Sequence, residues 1–118
     1  MNLLIETKHV LVDYNLTPDQ VTWVGSKDFG WFTWEDFAAV ADIEYSDGFG
    51  AQEVAQDLVV VGKDWWLERH EYDGSEWWEY KSTPVKPISY CKPNRVIVTE
   101  DQIGWKGLKE VNGIEDDV

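Results

Sequence analysis

The chain has 118 residues, of which 43% are hydrophobic, 28% charged and 14% aromatic. This composition argues against a generically disordered chain and suits a single domain over residues 1–118. Lys and Arg total 10 against 23 Asp and Glu, a net charge of −13, which disfavours direct binding to DNA, RNA or an anionic membrane. No stretch approaches the ~18 apolar residues of a membrane span, and Met1-Asn2-Leu3-Leu4-Ile5-Glu6 meets an acid too early for a secretory signal. The lone Cys91 rules out an internal disulfide framework and fits a reducing compartment.

Residues 3–14 (LLIETKHVLVDY) are apolar with interruptions and read as strand, with helix as the alternative. Pro18, flanked by Thr17 and Asp19, marks a turn. Residues 21–24 read as a short strand ending at Gly25, and 26–30 as a polar turn. Thr33 then offers an N-cap, with Glu35 and Asp36 in the first turn, where carboxylates favour the positive end of the helix dipole. Phe37, Val40 and Ala41 recur at helical spacing, so a helix is expected over 34–42. Residues 45–52 (YSDGFGAQ) form a loop, 53–56 suit one helical turn, and 58–61 read as a buried strand stopped by Gly62.

Residues 65–72 and 75–81 read as strands joined by Asp73-Gly74, a strong two-residue hairpin signal. After the prolines at 84, 87 and 93, residues 95–99 (RVIVT) read as another strand; the tail from Gly104 reads as irregular, and 114–118 as frayed. Segments 21–28 (VTWVGSKD) and 58–64 (LVVVGKD) look faintly alike, both strand-then-turn, but the match is too short to establish a repeat.

The hairpin carries the most information. A two-residue bend pairs Tyr72 with Ser75, then Glu71 with Glu76, His70 with Trp77, Arg69 with Trp78, Glu68 with Glu79, and Leu67 with Tyr80. One face then holds Leu67, Arg69, Glu71, Glu76, Trp78 and Tyr80. The other holds Trp66, Glu68, His70, Tyr72, Ser75, Trp77, Glu79 and Lys81. Two glutamate pairs face each other, one per side, and such pairs destabilise a ladder unless compensated. Arg69 lies diagonal to Glu76 and can stack on Trp78; His70 and Lys81 are the bases of the second face. The arrangement supports salt-bridged ladders, a ring-walled small-ligand or nucleotide site, or a protein-docking surface. Of the eight tryptophans, the adjacent pairs 65–66 and 77–78 each send one ring to either side, so one of each pair is expected in the core.

Other chemistry is sparse. There is no nucleophile elbow, P-loop or H-E-x-x-H, and Gly48-Phe49-Gly50 lacks the third glycine and the preceding strand of a dinucleotide site. Cys91 is expected to be an inert, partly buried thiol, and His9 a structural residue of the first strand. Glu68, His70 and Glu79 offer a generic metal or acid–base constellation; neither a metal nor a cofactor is expected. The loop containing Tyr45, Asp47, Gly48 and Gly50 is placed to close over the hairpin. The acid excess is concentrated in residues 1–60, which carry 11 acids and two bases for a net of −9.

The run Gly48-Phe49-Gly50-Ala51-Gln52-Glu53, followed by Asp57-Leu58 and by residues 66–79 (WLERHEYDGSEWWE), resembles a family of small acidic phage and prophage proteins of unassigned function. The likeness covers roughly residues 21–84. It implies an accessory or counter-defence protein working in the host cytoplasm, without supplying a catalytic residue.

The expected fold is therefore α+β, a mostly antiparallel sheet of four to six strands with one main helix on one face. The expected function is stoichiometric binding to a host or phage protein, without catalysis. The contact residues would be Trp66, Glu68, Arg69, His70, Glu71, Tyr72, Glu76, Trp77, Trp78, Tyr45, Gly48 and Phe49. Three alternatives stand beside it. The first is sequestration of a small nucleotide-like ligand, with Arg69 on phosphate and Trp77, Trp78 or Tyr72 on the base. The second is acidic mimicry of nucleic acid in a basic groove. The third is a metal-dependent enzyme using Glu68, His70 and Glu79. A homo-oligomer remains open.

Overall fold

The computed structural model describes residues 1–48 and 50–114. They fall into two compact units, residues 1–84 and the segment from Val85 onward. The first unit is α+β, as its alternating patterns imply. It holds helices α1 (Leu3–Asp13) and α2 (Trp34–Ala41) and strands β1 (Trp23–Ser26), β2 (Gly30–Phe32), β3 (Val59–Val61), β4 (Trp65–Tyr72) and β5 (Ser75–Ser82). The five strands make one sheet in the order β2-β1-β3-β4-β5, antiparallel throughout.

The first element corrects the strand expected over 3–14. Asn2 caps α1 by accepting the Ile5 N–H on its side-chain oxygen at 3.0 Å. The helix buries Leu3, Thr7 and Leu11, one residue every four. Thr7 disguises that stripe in the sequence because it is polar; its hydroxyl is satisfied by the Leu3 carbonyl at 2.7 Å. The helix ends in a Schellman arrangement: Asn15 adopts φ 58°, Asn15 N–H bonds to the Val12 carbonyl, and Leu16 N–H bonds to the Leu11 carbonyl. His9 is consequently an exposed helix residue rather than a strand residue.

β1 turns directly into β2, a strand not foreseen between the polar turn expected over 26–30 and Thr33. Gly25 sits where the β2 backbone crowds β1. A Cβ there would fall 2.1 Å from the Gly30 carbonyl oxygen, and its φ of 146° suits only glycine. The α2 start follows the sequence: the Thr33 hydroxyl accepts Asp36 N–H and the Asp36 carboxylate accepts Thr33 N–H, a reciprocal cap. The faintly similar segments 21–28 and 58–64 contain β1 and β3, which pair with each other. Residues 53–56 form no helical turn; the Glu53 and Val54 N–H groups bond to the Glu76 carboxylate.

The hairpin forms in the expected register, Tyr72 to Ser75 through Leu67 to Tyr80. The two helices and one face of the sheet share a core of Leu3, Leu11, Val24, Phe37, Ala41, Val60, Trp65, Leu67 and Trp78. One member of each tryptophan pair, Trp65 and Trp78, is in that core.

The second unit is mostly irregular. The strand expected over 95–99 is not formed, since β-branched residues without a partner strand have no ladder to join. The Asn112 side chain holds this segment instead, accepting the N–H groups of Asn94 and Arg95 and donating to the Arg95 and Leu108 carbonyls. The tail expected to be irregular contains a four-residue helix, α3 (Leu108–Val111). Val111 is the buried apolar residue here, whereas Trp105 is 99% exposed. Cys91 is exposed rather than partly buried. Phe49 and residues 115–118, which include most of the expected frayed end, lie outside the described residues.

Candidate functional site

Alternation along β4 and β5 sorts the expected site residues onto two sides of one sheet. The inner side receives Arg69, Glu76 and Trp78. The Arg69 and Glu76 side chains are both 0% exposed and meet at 2.7 Å. Arg69 also donates to the Tyr45 hydroxyl at 3.2 Å and to Glu6 at 3.4 Å, and its Cζ lies 4.8 Å from the centre of the Trp78 ring. Tyr45 donates to the second Glu6 oxygen, and Trp78 Nε1 donates to Thr7 Oγ1 at 2.8 Å. Burial, the largest single influence on the guanidinium, acts against its charge; hydrogen bonds to Glu76 and Tyr45 and the Glu6 carboxylate outweigh it and raise its pKa. Burial likewise pushes the Tyr45 hydroxyl well above its usual range, helped by the bond to Glu6. Arg69 Nε is buried without a hydrogen-bond partner.

The cluster joins α1, the loop after Tyr45 and the hairpin. The loop closes on the hairpin as expected: the Asp47 carbonyl accepts Glu76 N–H at 3.1 Å. This placement corrects the role expected of Arg69. Enclosed by two carboxylates, a hydroxyl and an indole, it is not available to meet a ligand phosphate, and Trp78 is likewise enclosed.

The outer side is a different surface. Register places Trp23, Val61, Trp66 and Lys81 in one row across the sheet, and Trp31, Gly25, Val59, Glu68 and Glu79 in the next, with His70 and Trp77 beyond them. The core helices pack on the opposite side. Trp31 is 71% exposed and Trp77 36%; Trp23, Trp66, Glu68 and His70 are half-buried. Trp31 pairs with Gly25 across β1 and β2, and its side chain is largely open to solvent. A cleft of about 540 Å³ beside it is lined by Thr22, Trp23, Ser26, Gly30 and Trp31.

Glu68 and Glu79 face each other here, and the neighbours resolve the repulsion. Trp66 Nε1 donates to Glu68 at 2.7 Å and Trp77 Nε1 to Glu79 at 3.3 Å. His70 Nε2 lies 2.8 Å from Glu68 and 3.7 Å from Glu79, and Lys81 Nζ lies 3.4 Å from Glu79. The indole of Trp66, and then His70, hold the Glu68 carboxyl below the usual carboxylate range; the Trp77 indole first, with Lys81 and His70, does the same for Glu79. Both rings are thereby pinned in orientation. No group of three or more His, Cys, Asp or Glu side chains among the described residues could hold a metal ion, so the metal-centred reading of Glu68, His70 and Glu79 has no geometric basis there.

Of the other expected residues, Glu71 and Tyr72 sit at the exposed hairpin tip, where Glu71 accepts Gly74 N–H. Gly48 is exposed with open space around it, and Phe49 lies outside the described residues. Trp23 and Trp31 join the outer face without having been singled out. Their signal was a second short hairpin, Trp-Val-Gly-Ser and Gly-Trp-Phe around a three-residue turn. No helix among the described residues is long and apolar enough to cross a membrane. No protein-family model, no curated protein and no solved structure matches this chain.

Proposed function

We propose that this chain is a binding protein that associates stoichiometrically with a basic protein partner through its tryptophan face, acting by that association rather than by catalysis. The carrying observation is the outer side of the sheet: four tryptophans around a pair of carboxylates, in a unit whose 17 acids and five bases leave a net charge of −12. Exposed, orientation-fixed tryptophans are effective anchors at protein interfaces, and the surrounding negative field favours a partner with a positive surface. The site is open, with His70 half-exposed and hydrogen-bonded to Glu68 on a flat sheet face, and a surface without an enclosing cavity favours recognition over chemistry that needs water excluded.

The resemblance of residues 21–84 to phage-encoded proteins supports the finer setting, a phage accessory or counter-defence protein acting on a host factor in the host cytoplasm. The test is affinity capture from host lysate with the wild-type chain and with a Trp31→Ser/Trp77→Ser variant of unchanged melting temperature. A basic protein should be retained in equimolar amount by the wild type and lost with the variant. Retention that ignores the tryptophans but collapses as salt rises would favour nucleic-acid mimicry by the acidic surface instead.

A further inference from the structure

β5 is an outermost strand of the sheet and, at eight residues, long for an edge. Its backbone parity follows from the bend at residues 73–74. Tyr72 and Ser75 close the hairpin, so Ser75, Trp77, Glu79 and Lys81 direct their N–H and C=O groups toward β4, and Glu76, Trp78, Tyr80 and Ser82 direct theirs away. Two bonds agree with that parity: Glu76 N–H reaches outward to Asp47, and Thr83 N–H reaches inward to the Asp64 carbonyl at 2.8 Å. Beyond Glu76, the outward N–H groups of Trp78, Tyr80 and Ser82 find no backbone partner among the described residues.

We propose that β5 of one copy pairs antiparallel with β5 of a second copy about a twofold axis at Tyr80, joining two five-stranded sheets into one. In that register the edge is self-complementary in charge. Tyr80 faces its own counterpart, Trp78 faces Ser82, and each Glu79 faces Lys81 of the other copy as a cross-strand ion pair, twice by symmetry. An axis at Glu79 sets carboxylate against carboxylate, and one at Lys81 sets ammonium against ammonium. On the inner side, the Tyr14 ring stacked on Tyr80 at 4.0 Å and 9° supplies apolar cover beside the axis. Pairing by edges leaves the tryptophan face free and doubles it.

Light scattering should give the wild-type chain twice its monomer mass. Glu79→Lys makes both facing positions basic and Lys81→Glu makes both acidic, so each variant alone should dissociate, with Kd raised about tenfold or more. An equal mixture of the two should recover dimers containing one chain of each. Circular dichroism checks that both variants fold; in the wild type, amide exchange at Tyr80 and Ser82 should slow as concentration rises, with no dependence on either variant folding. A wild-type chain that stays monomeric to millimolar concentration overturns the proposal. So does a dimer indifferent to both substitutions, or a mixture that yields no mixed dimer.

Discussion

On the inner side of the hairpin, Arg69 and Glu76 meet with no solvent in reach; on the outer side, Glu68 and Glu79 meet around a half-exposed imidazole. Both sides combine carboxylates, a base and tryptophan rings on the same two strands, yet their uses diverge. The inner cluster cannot lose a member without stranding a buried charge. The outer network keeps water as an alternative partner for every group, so its bonds orient the rings but contribute little to stability. Similar combinations of acid, base and indole one step apart along a strand thus become a structural tie or a recognition surface according to what lies above them.

The largest test of this contrast removes Arg69. Arg69→Ala leaves the Glu76 carboxylate in the interior with only N–H groups to face, and should cost about 3–5 kcal/mol in urea unfolding. A loss no greater than that of an outer-face change would erase the distinction. Next, Thr7→Val deprives buried Trp78 Nε1 of its acceptor and should cost about 1–3 kcal/mol. On the outer side, Glu68→Gln should move stability by about 0.5 kcal/mol or less, while shifting the Trp66 fluorescence.

The smallest effect sharpens the electrostatics. Glu68 lies below its ordinary 4.5, chiefly through the Trp66 indole. A carboxyl depressed by folding contributes stability above its ordinary value, and that contribution is lost as pH falls through the lower folded value. Trp66→Phe should therefore return the Glu68 titration toward 4.5, seen by carboxyl NMR, and flatten the acid loss of stability below that pH. An unmoved titration would assign the depression to His70 instead.

The hairpin was legible because a two-residue bend and strict alternation leave one register, and six expected pairs from Tyr72–Ser75 to Leu67–Tyr80 formed. The faces followed, but their depth did not. Whether Arg69 met solvent or Glu6 depended on α1, sixty-three residues away in sequence, and α1 was hidden by a buried threonine in its apolar stripe. Trp31 was missed for a related reason: Gly30–Phe32 is too short to show a period, and only pairing with β1 sets its side chain on the outer face. Residues 95–99 show the opposite error, strong strand propensity with no neighbour to pair with.

The adjacent indoles at 77 and 78 lie on either side of a single sheet, so one peptide bond separates a fluorophore open to acrylamide from one shielded from it. Emission from the shielded ring should be blue-shifted and resist quencher, while its neighbour responds at once to anything laid over it. Subtracting the emission of Trp77→Phe and of Trp78→Phe from that of the wild type separates these two rings from the other six tryptophans, giving a gauge of occupancy and of integrity in two consecutive residues without any added label.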